Sequence, residues 1–400
     1  MTTSPASMLD RRIAWPLLVL LVFTIPWEKS LWVPSVGTIA HFVGIAAFAA
    51  GVLASLWRRE FRAPNAALLL AALFVAWSAA TYFWTLDPGA TRARILTLGK
   101  LLGMMWLIWE QCRGPRRQVH LMSAYVFGSV FASCMALFRY ANNQQTYYLR
   151  YAASGFDPND FGLVLALAVP LALYLALRGT RWSQWFWFGT VPVLLAAILL
   201  TASRAAMAAT FVAFLFALWT WWRASWTYRI TTAAFAATLA LLVVWFAPAP
   251  QRQRLATIGK EITKGSLHGR THIWKSGVRA FLKGNPIHGA GSGAYPKAVE
   301  PWLGTPPVKA FQYTAHNTFL SVLVECGVIG FAICTALIAA LAFYVWSLAP
   351  PERALWAVMA AVWTVGVFTL TWEHYKPTWL IMSLIMTAWA RSHWEPAKTA

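Results

Sequence analysis

The amino-acid sequence predicts an all-α membrane protein that crosses the bilayer many times. Hydrophobic residues make up 59% of the 400 residues and charged residues only 12%, and the mean hydropathy is +0.54. This balance excludes an ordinary soluble domain. Apolar runs of about 20 residues recur along the chain, which is the length that a helix needs to cross the hydrocarbon. The alternating pattern of a membrane β-barrel is absent from the sequence, and helices satisfy their backbone groups internally.

These runs predict about twelve membrane-spanning helices. They cover residues 14–33, 36–56, 66–84, 95–110, 119–140, 161–178, 184–202, 205–222, 230–248, 317–347, 354–371 and 377–391. The run from Phe186 to Trp222 is too long for one helix, so we expect a tight turn at its polar break, Ser203-Arg204, although neither Gly nor Pro supports one. The chain then divides into residues 1–248 with helices one to nine, an extramembrane helical segment at 249–316, and residues 317–400 with the last three helices and a short tail.

Basic residues predict the orientation of the helices. Arginines occupy the short loops that follow the even-numbered helices, and Arg11 and Arg12 precede the first helix. Since Lys and Arg in short loops favour the cytoplasmic side, both termini are predicted there, and the segment 249–316 on the outer face. No small-residue cleavage site follows the first apolar stretch, so we expect it to be retained as a helix. The outer segment still carries ten Lys and Arg, which points to lipid headgroups or to a phosphate-bearing substrate.

The outer segment contains a predicted amphipathic helix at residues 269–284. At about 100° per residue, one face is basic and the other aromatic or apolar. The basic face carries His272, Lys275, Arg279 and Lys283, and the opposite face carries Trp274, Val278 and Phe281. Such a helix suits a membrane surface. Arg270 falls on the apolar side, which points it towards the helix bundle.

The stretch "NPIHGAGSGAYP" follows at residues 285–296. Its three glycines, Gly289, Gly291 and Gly293, have the spacing of a phosphate-binding loop, but the preceding strand of a nucleotide site is missing. We therefore predict a turn at which the backbone approaches another segment closely.

Ionisable residues at membrane depth are candidates for function because burying a charge there is costly. Arg204 lies at the outer ends of helices seven and eight, His316 opens helix ten, and Glu325 lies about two turns into it. Arginine matches phosphate oxygens with two parallel hydrogen bonds. A histidine kept neutral by a helix N-terminus can accept a proton, although a capping or interface role for His316 is the alternative. For Glu325 we predict an arginine partner inside the bundle.

Metal, cofactor and disulfide chemistry are not expected. Outer acids are sparse and form no Asp-x-Asp pair; Asp157 and Asp160, three residues apart, are the alternative metal site. None of the four cysteines lies in the long outer segment, so no disulfide framework supports it.

Several stretches together resemble O-antigen ligases and their relatives. They are "TASRAAM" (201–207), "GRTHIWKSG" (269–277), "NPIHGAGSGAY" (285–295) and "AHNTFLSVLVECGVIG" (315–330), in the order seen in that family. "GFDPNDFGLVLALAVPLAL" (155–173) resembles an upstream element of the same superfamily. The resemblance runs from about residue 150 to 380, and the first 150 residues are similar in topology only.

The resemblance implies a GT-C-like, metal-independent, inverting glycosyltransferase of the bacterial inner membrane with its active site facing the periplasm. It would transfer an O-antigen glycan from undecaprenyl diphosphate to the lipid A–core oligosaccharide, in contact with membrane lipids and without nucleic acid. Arg204 and Arg270 would bind the diphosphate and His316 would be the general base. Four further residues are possible substrate contacts: Arg139, Arg150, Lys264 and Asn317.

Three other functions remain open at this point. An O-antigen polymerase would use the same donor with a second lipid-linked glycan as acceptor. A protein O-oligosaccharyltransferase of the same superfamily would need room for a peptide. A transporter of lipid-linked glycan would show internal repeats and helices broken near the midplane of the membrane.

Overall fold

The computed structural model describes residues 10–33, 37–146, 149–221, 226, 270–304 and 313–393. The predicted ninth helix at 230–248 and most of the extramembrane segment, including Lys264, lie outside the described residues. The regular secondary structure of these residues is helical, apart from one short antiparallel hairpin, β1 (Trp32–Val33) and β2 (Gly37–Thr38).

Thirteen α-helices are numbered here in chain order within the described ranges. They are α1 (Trp15–Thr24), α2 (Ile39–Arg58), α3 (Ala66–Ala80), α4 (Pro88–Gln111), α5 (Pro115–Ala141), α6 (Pro158–Arg178), α7 (Arg181–Thr201), α8 (Arg204–Trp221), α9 (Arg270–Lys283), α10 (Tyr295–Leu303), α11 (Thr318–Ser347), α12 (Glu352–Val367) and α13 (Lys376–His393).

The predicted fold class, an all-α polytopic membrane protein, is confirmed. Seven helical stretches among the described residues are long and apolar enough to cross a membrane. They are Arg12–Ser30, Ile39–Arg58, Ala66–Phe83, Pro115–Ala141, Pro158–Arg178, Arg181–Thr201 and Thr318–Ser347. Each predicted span except the ninth coincides with a described helix.

Two helix boundaries differ from the predicted spans, and capping and proline chemistry explain both. The α-helix α1 ends at Thr24 and continues as a 3₁₀-helix to Ser30, because Pro26 has no N–H with which to continue the α-helical ladder. Helix α4 begins at Pro88 rather than near residue 95, because the Asp87 carboxylate accepts a hydrogen bond from the Ala90 N–H and caps it. The extra turns place Arg94 inside the helix.

The chain forms two compact units. The first contains α1, α2, α5 to α8 and α12, and the second contains α3, α4, α9 to α11 and α13. In the first unit every residue of α6 from Phe161 to Ala176 is buried, as expected of a helix that is apolar on all sides. Helix α6 packs against α7 and α8.

In the second unit, α11 packs on α3, α13 packs on α4, and α9 packs on α10 and α11. The basic face of α9 is exposed, as predicted. The predicted packing face was partly wrong: the buried residues are Ile273, Ser276, Gly277 and Ala280, whereas Val278 is 46% exposed. Small residues line the contact because a side chain at Gly277 would come within 2.6 Å of the Tyr295 hydroxyl.

Candidate active site

The turn that carries Arg204 belongs to the first unit. Helix α7 ends at Thr201, and Ala202 adopts a left-handed backbone conformation with φ 48° and ψ 31°. The Ser203 hydroxyl then accepts a hydrogen bond from the Ala206 N–H and caps α8. The predicted tight turn is therefore confirmed, with Ala202 taking the conformation that glycine normally supplies. Arg204 is the first residue of α8 and is half-buried.

A buried arginine is hydrogen-bonded to the backbone of this turn. Arg150 is 7% exposed, and its Nε donates to the Thr201 carbonyl at 2.6 Å. Its Nη2 donates to Asn159 Oδ1 at 2.7 Å. The side chain thus joins the "GFDPNDFG" stretch to the turn before Arg204. Arg150, predicted as a possible substrate contact, is placed in the interior of the first unit.

The other charged residues predicted near this turn have local partners. Arg139 lies at the end of α5, where its Nη2 donates to the Gln145 carbonyl at 3.4 Å. Asp157 caps α6 by accepting from the Asn159 N–H, and Asp160 lies 4.0 Å from Lys29 Nζ. In the part of the chain that the structure describes, no three His, Cys, Asp or Glu side chains are grouped so that they could hold a metal ion.

The start of α11, in the second unit, carries His316. This residue has a left-handed backbone with φ 46°, a conformation that costs a non-glycine residue about 1–2 kcal/mol. Asn317 caps the helix by accepting from the Leu320 N–H at 3.0 Å. Strain of this kind persists only where surrounding contacts enforce it.

Contacts on both sides of His316 supply that enforcement. Before it, the Trp274 indole N–H of α9 donates to the Ala315 carbonyl at 3.0 Å. After it, the Thr318 hydroxyl donates to the Leu370 carbonyl at 2.9 Å and accepts from the Trp372 N–H at 2.8 Å. Trp274 lies one helical turn after Arg270, so α9 brings the Arg270 helix start and the His316 turn together.

Helix α11 is broken at Gly327, nine residues after its first residue, Thr318. Gly327 has φ 67° and ψ −171°. The glycine loop, residues 285–293, fills the break. Its Ala290 and Gly291 amides donate to the Val324 and Glu325 carbonyls, both at 2.9 Å, and Pro286 accepts from the Val328 N–H. Backbone groups freed by a break in a membrane helix must find such partners.

The glycines of this loop make the close approach possible. Gly289, Gly291 and Gly293 all have positive φ, and a Cβ atom at Gly289 would lie 2.3 Å from the Glu325 carbonyl oxygen. The predicted close backbone approach is confirmed, and its target is the break in α11.

Glu325 has the arginine partner that the sequence predicts. It is 3% exposed, accepts from the Gly293 N–H at 2.7 Å, and lies 3.7 Å from Arg94 Nη1. Arg94 also donates to Glu373, in the connection between α12 and α13. Burial favours the neutral form of Glu373, but a hydrogen bond from His374 and the charges of His374 and Arg94 outweigh it and lower the pKa of this carboxyl to about 2.

The pairing of these charged groups was not predicted from the sequence. Arg94 could have been found, because a buried acid at Glu325 demands a cation and α4 offers few. The Glu373–His374 pair shows no local pattern, since only the folded connection between α12 and α13 brings it to the start of α11.

Residues 189–335 match the family model described as O-antigen ligase. The predicted resemblance is confirmed over these residues, which include Arg204, Arg270, the glycine loop and His316. Over these residues the chain is similar to O-antigen ligases, which is consistent with a glycosyltransferase-like membrane enzyme. Arg94 and the Glu373–His374 pair of this ligase-like chain lie outside the matched residues. A comparison with curated proteins finds no match.

Proposed function

We propose that the protein is a lipopolysaccharide O-antigen ligase that transfers glycan from undecaprenyl diphosphate to the lipid A–core oligosaccharide. The observation that carries this proposal is the fixed, left-handed His316 at a helix start, within the segment that matches O-antigen ligases. A conformation that costs free energy and is enforced from two sides indicates a residue whose direction matters.

The proposed reaction is a single displacement at the anomeric carbon of the donor sugar. His316 removes the proton of an acceptor hydroxyl, whose oxygen attacks the anomeric carbon. The bond between that carbon and the diphosphate oxygen breaks, and its electron pair leaves with the diphosphate. Attack from the opposite face inverts the anomeric configuration.

Arg204 and Arg270 are proposed to bind the diphosphate. Each begins a helix, α8 and α9 respectively, where backbone N–H groups and the helix dipole also favour an anion. Fixed positive groups stabilise the charge that develops on the leaving diphosphate. Lys264 and Asn317 remain proposed substrate contacts, although the Asn317 amide oxygen already caps α11.

The proposed setting is the bacterial inner membrane, with the His316 end of α11 facing the periplasm. The distribution of arginines in the short loops supports this orientation. The break at Gly327 would also suit a transporter, but the glycine loop packs into it and bonds its freed backbone groups. Transferase chemistry at the His316 end is therefore the better explanation.

The test is transfer in detergent from a purified undecaprenyl-diphosphate glycan to lipid A–core, with EDTA present. We expect product from the wild-type protein and from His393→Ala, which changes an exposed histidine at the other end of α13. We expect a loss of about 100-fold or more from His316→Ala, with size-exclusion behaviour unchanged.

Three results would contradict the proposal in different ways. A wild-type rate from His316→Ala would show that His316 is not the general base. Extension of the donor glycan without transfer to lipid A–core would identify a polymerase. Transfer to a peptide would identify a protein O-oligosaccharyltransferase.

A further inference from the structure

A second histidine, His374, lies in the connection between α12 and α13 with its ring fixed by a carboxylate. Its Nδ1 lies 3.2 Å from Glu373 Oε1. The Glu373 side chain is buried, whereas the His374 side chain is about one quarter exposed. A histidine with one nitrogen on a buried carboxylate and part of its ring exposed has the arrangement that orients a base.

The carboxylate itself is held in place. Glu373 Oε1 accepts from Arg94 and lies 3.4 Å from the Ser321 hydroxyl of α11. An ionised carboxylate only accepts hydrogen bonds, so the shared proton belongs to His374 Nδ1. The lone pair of the neutral ring then lies on Nε2, which bonds to none of the described residues.

The connection that carries His374 is bonded to the beginning of α11. Asn317 Nδ2 donates to the Phe368 carbonyl at 3.5 Å, and the Phe319 and Phe368 rings lie 5.2 Å apart. The hydrogen bonds of Thr318 with Leu370 and Trp372 belong to the same contact between α11 and this connection. His374 therefore lies at the same end of the second unit as His316.

Charged and aromatic groups from neighbouring elements surround His374. From α4, Arg94 faces the two carboxylates of Glu325 and Glu373, so two acids share one arginine. The Tyr375 ring packs beside the imidazole with 4.8 Å between centroids, and Lys376 follows at the start of α13. A proton that arrives on His374 therefore lies beside the second carboxylate of this cluster.

We propose that His374, oriented by Glu373, is a second proton acceptor of the transfer reaction. The inference rests on the proposed function, in which His316 takes the proton of the acceptor hydroxyl. That proton passes from His316 through water to His374 Nε2, while Nδ1–H stays bonded to Glu373. His374 then releases it to solvent, which returns His316 to its neutral form for the next turnover.

The test compares variants that separate a proton role from a structural one. His374→Asn places an amide N–H near the position of Nδ1, so it can keep the bond to Glu373 but cannot accept a proton. His374→Ala removes both functions, and His393→Asn is the matched control in the same unit. Transfer rates are measured from about pH 5 to pH 8, with and without added imidazole.

We expect His374→Asn to lower kcat about tenfold or more with KM unchanged, while size-exclusion behaviour and Tm stay close to wild type. The loss should be largest near pH 8 and shrink towards pH 5, because a protonated imidazole cannot accept a second proton. Imidazole should raise the rate of His374→Ala in proportion to its concentration and leave the wild-type rate unchanged, because a diffusible base replaces the missing ring.

The opposite pattern would overturn the inference. A wild-type kcat from His374→Asn at every pH would show that the residue only ties the connection to α11, as would a loss in His374→Ala that imidazole does not relieve. Failure of the proposed function is a separate result, since neither wild type nor His393→Asn would then transfer glycan to lipid A–core.

Discussion

The starts of α8 and α11 share a left-handed backbone residue, but this residue has a different role at each. At both, a left-handed residue precedes a polar cap: Ala202 with φ 48° before Ser203, and His316 with φ 46° before Asn317. At α8 the strained residue is an alanine, and Arg204 follows in the regular helix. At α11 the strained residue is the proposed base itself.

The supports of the two turns differ accordingly. The α8 turn is tied by one buried arginine, Arg150, whose bonds fix the Thr201 carbonyl. The α11 turn is held by α9 on one side and by the connection between α12 and α13 on the other. A long arginine reaches its ligand through its own rotatable bonds, whereas a short histidine has to be aimed by its backbone.

Among the changes that test this comparison, Arg150→Ala is expected to have the largest effect on the protein. Two hydrogen bonds from a charged, buried group would be lost, and the Thr201 carbonyl would lose its partner. We expect the protein to lose about 3 kcal/mol of stability or more, measured as a fall in Tm in detergent. Arg181→Ala, which removes an exposed arginine from the first turn of α7, should leave Tm unchanged.

An Arg150→Ala protein with wild-type Tm but a raised KM for the donor would contradict the structural role given to Arg150 in this comparison. Arg150 would then contact substrate, as the sequence suggested, and the α8 turn would hold without it.

The sequence predicted what local patterns encode and missed what distant segments impose. Apolar periodicity predicted the helices, and the polar break at Ser203-Arg204 predicted a turn without Gly or Pro. The demand of a buried acid for a cation predicted a partner for Glu325. The break at Gly327 was not predicted, because its cause is the fit of the glycine loop, some 35 residues earlier, into that part of α11. The burial of Arg150 depends in the same way on a carbonyl at the end of α7.

An intermediate effect is expected from Trp274→Phe, which keeps an aromatic ring but removes the donor to the Ala315 carbonyl. A buried carbonyl without its partner costs about 1–3 kcal/mol, and here that cost falls on the turn that aims His316. We expect the transfer rate to fall about tenfold, the equivalent of about 1.4 kcal/mol at the transition state, with only a small change in Tm. Trp182→Phe, at an exposed position in the first unit, should change neither quantity.

The opposite result for Trp274→Phe would also be informative. An unchanged rate with a lowered Tm would mean that the indole bond stabilises the packing of α9 without aiming His316, and the two helix starts would then differ less than their contacts suggest.

The smallest effect tests the strain itself. Glycine adopts positive φ without steric cost, so Ala202→Gly should raise stability by up to about 1 kcal/mol and leave transfer intact. At the other start, His316→Gly should be more stable than His316→Ala by a similar amount, while both lack activity. Differential scanning fluorimetry of the four proteins, including wild type, would measure both differences. If glycine gains nothing over alanine at residue 316 but does at residue 202, the contacts from Trp274 and Thr318 do not enforce a strained backbone, and the direction of His316 has to come from its side chain alone.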